Sequence, residues 1–356
     1  MSSVSSVLIR RGTELISARL RHREHPQMHD WLGLSIVIFT AVAFGFAILW
    51  VDYTCTHVIA TLAAVEDSNP TTYVRLDSED SNDNDSEAAA ASTTKPITSG
   101  LRSTIKHLRA RGGIWSCFRG FRMYLAFTGL DMGVGFLLPA IVPIPRVSHS
   151  LIGSFLGQFV AGMLVATWQT AWVHLVIADK SPRSNYRRML GLRHWPRIAP
   201  AAALYNFLMC ATFSLPTAAA RLAGWTVTSV VGSSNSGYKG LLGFLVIGIL
   251  PAVFLLLLSM PARGIFTRVA ASMLPEEDDP IVPFDRLFGG KVKPGMVLGL
   301  RDAWTTFEWP ARIRYVKVIL KALAIEVALA LVAILLVMGE LALVTPTSQS
   351  SSSPQS

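Results

Sequence analysis

Long apolar segments alternate with polar and basic segments along the chain. Six of the apolar runs are long enough to cross a bilayer, since a hydrocarbon core of roughly 30 Å needs about 20 apolar residues per helix. They cover residues 31–64, 121–145, 150–178, 199–224, 240–262 and 315–344. Because unpaired backbone polar groups are costly in lipid, these runs should be helices. The predicted fold class is therefore an all-α integral membrane protein with six transmembrane helices.

A tryptophan-centred pattern occurs three times between these runs. Each copy has a polar loop, a short basic amphipathic stretch, a tryptophan with arginine close behind it, and then an apolar run. The tryptophans are Trp115 in GGIWSCFRGF, Trp195 in LRHWPRIAP and Trp309 in FEWPARIRY. The repetition predicts three helix pairs, with short amphipathic helices on one side of the membrane.

Composition agrees with a membrane protein. Hydrophobic residues make up 51% of the chain and charged residues 15%, whereas soluble domains carry about 25% charged residues. The mean hydropathy is +0.44. The formal net charge is +9, but the basic residues flank the apolar runs and no nucleic-acid-binding module is present. The charge thus predicts contact with the lipid bilayer, in particular with anionic lipids, and no nucleic-acid partner.

Composition divides the chain into three parts. Residues 1–30 form a basic amphipathic segment, residues 31–344 the six-helix membrane domain, and residues 345–356 a polar tail that we predict to be disordered. Within the membrane domain, residues 65–100 are acidic and nearly free of large apolar residues, which also predicts disorder. This acidic loop is either a solvated spacer or a target for an acid-directed kinase.

The distribution of basic residues predicts a topology. The loops after the first, third and fifth apolar runs (loops 1, 3 and 5) are long and basic, whereas loops 2 and 4 are short and carry one basic residue each. Under the positive-inside rule, loops 1, 3 and 5 share the inner side. The arginine-rich N-terminus conflicts with this topology. It resembles a mitochondrial targeting segment, which would remove the conflict, and the other interpretation is a basic tail beside any membrane.

The repeat architecture resembles the mitochondrial carrier family. In repeat one, STIKHLRARGGIWSCFRGF (103–121) is similar to the carrier matrix helix and the element after it, with Gly113, Phe118, Arg119 and Gly120 in the matching places. The resemblance implies three repeats of paired, tilted spans around a cavity for a small solute. It also implies a mitochondrial membrane.

The carrier gate signature is only partly present. In PARGIFTRVAAS (261–272), Pro261 matches the signature proline and Arg268 its second basic residue. Arg263 stands where the signature has an acid, and Phe266 where it has the first basic residue. Under the transport interpretation, Arg263 and Arg268 are the inner-gate candidates, but three interhelical ion pairs cannot be assembled from such residues.

A second resemblance comes from the tract SMLPEEDDPIVPFDRLFGGKV (272–292). It is similar to fungal multi-span membrane proteins of unknown function, some of which are labelled ubiquitin carriers. No ubiquitin-conjugating domain or nucleophilic cysteine context accompanies it here.

Ionisable residues inside the apolar runs are the candidate substrate-cavity contacts. Asp131 lies near the middle of the second run, where an unpaired charge costs several kcal/mol. It would either contact a solute or ion, or pair with a base such as Arg221 or Lys321. Glu326 completes the candidate set. Lys321 also follows the basic start of the last run, so snorkelling to the headgroups is a second interpretation for it.

No catalytic, metal or cofactor arrangement is recognisable. His22, His25 and His29 are separated by Pro26 and lack further ligands, and the single cysteines fit buried small hydrophobes. We therefore expect no enzyme and no cofactor. The leading hypothesis is a multi-pass organelle membrane protein, mitochondrial by its N-terminus, that passes a small solute without an energy source. The alternative is a non-transporting membrane adaptor or organisation protein, whose acidic loop and basic amphipathic segments contact protein partners or lipid.

Overall fold

The part of the chain that the structure, a computed structural model, describes consists of helices and connecting loops, without a β-strand. That part comprises residues 26–67, 96–141, 151–179, 194–224, 242–243, 245–293 and 295–344. Predictions for residues 1–25, for most of the acidic loop and for the tail 345–356 lie outside it. The helical elements in chain order are α1 (Pro26–Val51), a π-helical segment (Asp52–Ile59), α2 (Ala60–Val65), a 3-10 turn (Ile97–Ser99), α3 (Leu101–Gly112), a 3-10 turn (Ile114–Phe118), α4 (Phe121–Ile141), α5 (Leu151–Leu164), α6 (Ala166–Ile177), α7 (Trp195–Leu222), a π-helical segment (Leu245–Ile249), α8 (Leu250–Phe254), a π-helical segment (Leu255–Ser259), α9 (Met260–Ala271), α10 (Leu300–Thr305) and α11 (Trp309–Val344).

Four helices of the described residues are long and apolar enough to cross a membrane. They are Gly33–Val65, Trp195–Leu222, Leu245–Ala271 and Trp309–Leu341. A fifth span results if α5 and α6, which meet at an angle of 54°, are counted together. The predicted all-helical membrane class is thus confirmed, with four to five candidate spans. Helix α4, at the position of the predicted second span, is not among them.

The chain divides into two compact units. Unit 1 contains Met1–Asp52 and Leu323–Ser356, and unit 2 contains Tyr53–Ala322. In unit 1, large apolar side chains of both helices are exposed, for example Phe39 at 75% and Leu335 at 73%. Such surfaces suit lipid rather than water. One polar contact joins the two helices, because the Thr40 hydroxyl donates to a Glu340 carboxylate oxygen at 2.8 Å.

The first apolar run, 31–64, is not one uniform span. Its first part lies in unit 1, where most large apolar side chains are exposed, whereas Val58, Ile59 and Leu62 in unit 2 are completely buried. The later part of the run thus continues as a helix that other elements of unit 2 enclose.

The third and fifth runs also end in buried helices. The third run bends at Val165, whose φ of −90° and ψ of 3° interrupt the helix, so the span predicted over 150–178 consists of two helices that meet at 54°. The Trp195 indole N–H donates to the Met163 carbonyl beside this bend at 2.9 Å. The fifth run continues to Ala271 rather than ending at residue 262. Arg263 and Arg268 therefore lie in helix α9 and not in loop 5.

Loops 1, 3 and 5 contact one another in unit 2. Asp179 of loop 3 accepts a hydrogen bond from Arg111 at 3.0 Å and lies 3.5 Å from Arg119, both of loop 1. The Asp179 N–H also donates to the Asp279 carbonyl of loop 5 at 2.7 Å. All three loops thus lie together in unit 2, in agreement with the expectation that they share one side.

Glu66 is a deeply buried acid of this loop cluster, with 1% of its surface exposed. Its carboxylate accepts hydrogen bonds from the Ile97 N–H at 2.6 Å and the Thr98 N–H at 3.0 Å, and also from the Thr98 hydroxyl. Arg314 of α11 forms an ion pair with it at 3.6 Å and donates to the Glu66 backbone carbonyl at 2.9 Å. Both ends of the acidic loop are thereby fixed to the start of the last helix.

We predict that Glu66→Ala lowers the free energy of unfolding by about 3–5 kcal/mol, because it leaves the Arg314 guanidinium buried without its counter-charge. The measurement is unfolding of the full chain in mixed micelles by titration with denaturing detergent. Glu276→Ala, at an exposed acid, is the matched control and should leave the midpoint unchanged. An equal, small effect of both substitutions would contradict the role given to Glu66.

Candidate functional site

A pocket of about 300 Å³ lies within unit 2, where the end of α2, helix α9, loop 5 and the start of α11 meet. Its apolar wall consists of Val65, Phe288 and Ala311. Its charged and hydroxyl-bearing lining includes Glu66, Asp67, Arg268, Asp285, Thr306 and Glu308. This volume is at the lower end of the range of small-molecule sites.

Arg268 is the only cation among the pocket's lining residues, and it is 95% buried. Its Nη1 donates to the Ala64 carbonyl at 3.0 Å, and its Nη2 donates to the Thr306 carbonyl at 3.1 Å and hydroxyl at 3.0 Å. The guanidinium also lies 4.7 Å from the Phe288 ring centroid and 5.2 Å from that of Phe307. Its Nε has no hydrogen-bond partner. Arg268 therefore connects three elements and keeps one donor without an acceptor.

Four carboxylates line the pocket, those of Glu66, Asp67, Asp285 and Glu308. The Glu66 carboxylate is neutralised by its ion pair with Arg314. Asp285 accepts hydrogen bonds from the Leu287 N–H at 2.9 Å and the Gly289 N–H at 2.7 Å. Asp67 and Glu308 are the remaining carboxylates. The lining thus has more negative than positive charge, even after Glu66 is set against Arg314.

An unusual turn places Phe288 against Arg268. Phe288 has φ of 48°, and Gly289 and Gly290 follow with φ of 69° and 77°. Glycine adopts this left-handed region freely, but a bulky side chain does so only when its surroundings compensate. The Asp285 side chain and the cation–π contact with Arg268 supply that compensation.

Asp131, the central cavity candidate, is half-buried on α4. It accepts a hydrogen bond from the Gln158 amide at 2.7 Å, and its other oxygen is buried without a hydrogen-bond partner. A side chain at Gly135 would collide with Gln158, since an added Cβ would lie 2.3 Å from its Oε1. The partner of Asp131 is thus an amide on the neighbouring helix, and neither Arg221 nor Lys321 takes that place.

Two other cavity candidates of unit 2, Arg221 and Lys321, are exposed and do not take the place of the Gln158 amide beside Asp131. Glu326 belongs to unit 1. None of the four candidates is among the described residues that line the pocket. Within the described residues, the structure therefore provides no shared site for the three candidates of unit 2.

The two inner-gate candidates have different partners. Arg263 donates to His57 Nδ1 at 2.8 Å, and His57 Nε2 lies 3.1 Å from the Tyr124 hydroxyl. Because Arg263 can only donate, Nδ1 must be the acceptor and the proton of a neutral His57 is on Nε2. Within the described residues, neither Arg263 nor Arg268 forms an ion pair with a carboxylate, as a carrier gate would require, although Arg268 shares its pocket with acids.

The described residues contain no group of three or more His, Cys, Asp or Glu side chains that could hold a metal ion. Cys55, Cys117 and Cys210 are buried, as expected of small hydrophobic side chains.

Sequence reasoning selected one residue of the pocket, Arg268, and missed its acids. A signal was present, because Glu66 and Asp67 end an apolar helix and the Phe-Gly-Gly sequence at 288–290 predicts a turn. Nothing in the sequence indicated that these segments, more than 200 residues apart, line one cavity.

Comparison with protein-family models, with curated proteins and with solved structures gave no match.

We predict that Arg268→Lys lowers the free energy of unfolding by about 2–4 kcal/mol, since an ammonium cannot reproduce three forked hydrogen bonds to separate acceptors. Arg301→Lys, at an exposed position of α10, is the control and should be neutral. Detergent-titration midpoints of the three proteins measure the difference. If the midpoint for Arg268→Lys equals that of the unsubstituted protein, the role of Arg268 in connecting three elements is contradicted.

Proposed function

We propose that this protein is a six-span membrane adaptor that does not transport a solute. Its loop side provides a fixed platform, formed by loops 1, 3 and 5, that contacts anionic lipid headgroups and protein partners. The observation that carries this proposal is the interlocking of the three loops by ion pairs and hydrogen bonds, beside the buried charges of Glu66, Arg268 and Arg314. A transporter must separate the ends of its spans on this side, and here that movement would expose Glu66, Arg268 and Arg314.

Helix α3 is the proposed lipid-binding element of the platform. Thr104 and Leu108 are completely buried and fix one face of the helix to unit 2. The opposite face is exposed and basic, with Arg102, Lys106 and Arg109. Beyond its end, Trp115 is 81% exposed. Basic residues beside an exposed tryptophan at the start of an apolar helix are typical of a membrane–water interface.

The six-span arrangement in three repeats is part of the proposal. Helices α7 and α11 begin at Trp195 and Trp309, each followed by proline, and α4 follows Trp115. Proline suits the first turn of a helix, where its missing N–H is not needed. Helix α3 precedes α4, and helix α10 precedes α11, as the amphipathic segments of the first and third repeats. The amphipathic segment predicted before α7 lies outside the described residues.

Carrier-like transport is the second candidate function, and Asp131 favours it. A carboxylate in an apolar helix, with one buried oxygen that lacks a hydrogen-bond partner, could contact an ion or solute. The mitochondrial membrane is the proposed location under both functions, from the basic N-terminal segment and the carrier resemblance.

We predict that anionic lipid stabilises the protein through α3. Added phosphatidylglycerol should raise the thermal midpoint of the detergent-solubilised chain, and the triple substitution Arg102→Gln, Lys106→Gln, Arg109→Gln should remove at least half of that rise. The matched control neutralises three exposed bases of loop 5 and α10, Lys291, Lys293 and Arg301. If the α3 variant responds to lipid like the unsubstituted protein, the proposed lipid contact is wrong.

Reconstitution into liposomes separates the adaptor from the transporter. We expect no counter-flow of any solute in a panel of nucleotides, carboxylates and amino acids. Solute flux that the Asp131→Asn substitution abolishes, at an unchanged reconstitution yield, would contradict the adaptor proposal and support carrier-like transport.

We predict that a fluorescent C-terminal fusion of the full chain localises to mitochondria, and that deletion of residues 2–25 disperses it to other membranes. If the deletion variant still localises to mitochondria, the N-terminal segment is a basic tail and not a targeting segment.

A further inference from the structure

Three basic side chains of α3 form a stripe along its exposed face. Arg102, Lys106 and Arg109 are separated by four and then three residues, and this spacing places them on one side of a helix. All three are exposed, and within the described residues none of them forms an ion pair. Thr104 and Leu108, on the opposite side, are completely buried. The packing of α3 thus holds this basic stripe in place with its charges open to an anionic partner.

The acidic loop carries an anionic segment of complementary charge. Residues 77–87, which we call the acidic tract, contain six carboxylates and no basic side chain. The acids are Asp77, Glu79, Asp80, Asp83, Asp85 and Glu87. The tract therefore offers more than enough negative charge for the three cations of the stripe, and all of it belongs to one short piece of chain.

The two ends of the acidic loop are held together next to α3. The Glu66 carboxylate accepts hydrogen bonds from the Ile97 N–H at 2.6 Å and the Thr98 N–H at 3.0 Å, and α3 begins at Leu101. Residues 88–96 connect the tract to this anchor and can extend to about 30 Å. Helix α3 has 12 residues, so it is only about 18 Å long. Carboxylates of the tract can therefore reach every cation of the stripe.

This attachment makes a contact between tract and stripe intramolecular. The effective concentration of a tethered partner is on the order of 1 mM, which compensates for the weakness of single ion pairs at a surface. Under the proposed function, anionic lipid headgroups contact the same three cations. The two contacts therefore exclude each other.

We propose that the acidic tract docks on the basic stripe of α3 and competes there with anionic lipid. The inference rests on the proposed lipid contact of α3 and adds its regulation. Where anionic lipid is sparse, the tract occupies the stripe, and a sufficient density of headgroups displaces it.

Docking is tested by zero-length carbodiimide crosslinking of the full chain in detergent micelles. The reagent joins a carboxylate to the Lys106 amine only where the two groups are in contact. We expect mass spectrometry of the monomer band to find carboxylates of the tract joined to Lys106, and added phosphatidylglycerol to lower the yield of this product. Lys293, an exposed lysine of loop 5, is the matched control and should not be joined to the tract.

Competition is tested by titrating phosphatidylglycerol against the thermal midpoint of the full chain. The variant carries Asp77→Asn, Glu79→Gln, Asp80→Asn, Asp83→Asn, Asp85→Asn and Glu87→Gln. These six substitutions should lower the half-maximal lipid concentration at least about 3-fold, since a stripe that is occupied for two thirds of the time weakens the apparent lipid affinity by about that factor.

The matched control makes the same six substitutions in the Arg102→Gln, Lys106→Gln, Arg109→Gln background. There they should leave the remaining lipid response unchanged, which separates competition at the stripe from a general effect of net charge.

Absence of crosslinks between the tract and Lys106 would overturn the proposal, and so would an equal yield at Lys293. Crosslinks confined to the dimer band would overturn it as well, because the occupant would then belong to a second copy of the chain. An unchanged lipid titration after the six substitutions, or an equal shift in both backgrounds, would likewise contradict it. Failure of the proposed lipid contact gives a different result, in which the α3 triple substitution leaves the lipid response intact whether or not Lys106 is crosslinked.

Discussion

The burial of the Glu66 carboxylate is the constraint on which unit 2 depends. A carboxylate with 1% exposure is tolerated only when hydrogen bonds and a counter-charge replace its water. Two backbone N–H groups and a hydroxyl from the far end of the acidic loop, together with Arg314, supply these. Glu66 thereby fixes where the first helix ends, where the acidic loop returns and how the last helix begins.

The same cluster explains why several helices are longer than a bilayer requires. The helix Gly33–Val65 and the helix Leu245–Ala271 contain 33 and 27 residues, and each ends in a segment whose apolar side chains are buried by protein. Their polar residues, such as Thr61 and Thr267, are buried as well. These segments therefore behave as the core of a small globular assembly. The exposed apolar residues at the opposite parts of these helices suit lipid.

Sequence reasoning predicted the helical membrane class from apolar run length, and the repeated tryptophans indicated apolar helices that begin near Trp195 and Trp309. It could not divide the run 31–64, because residues that face lipid and residues that pack in a protein core are equally apolar. It selected Asp131 as an unusual residue and left open whether this carboxylate contacts a solute or pairs with a base such as Arg221 or Lys321. The sequence does not indicate the Gln158 amide as a partner of Asp131, because a neutral side chain cannot be recognised from the distribution of charges. The pocket acids were missed because their proximity results from tertiary contacts between distant segments.

The central claim is that loops 1, 3 and 5 form one cooperative unit with the ends of the spans. Hydrogen exchange of the full chain, with and without the Glu66→Ala substitution, tests it most directly. If the claim is right, the backbone amides of residues 60–66, 170–177 and 264–271 are protected together, and the substitution accelerates exchange in all three segments by a similar factor. Acceleration confined to residues 60–66, with the other two segments unchanged, would contradict it.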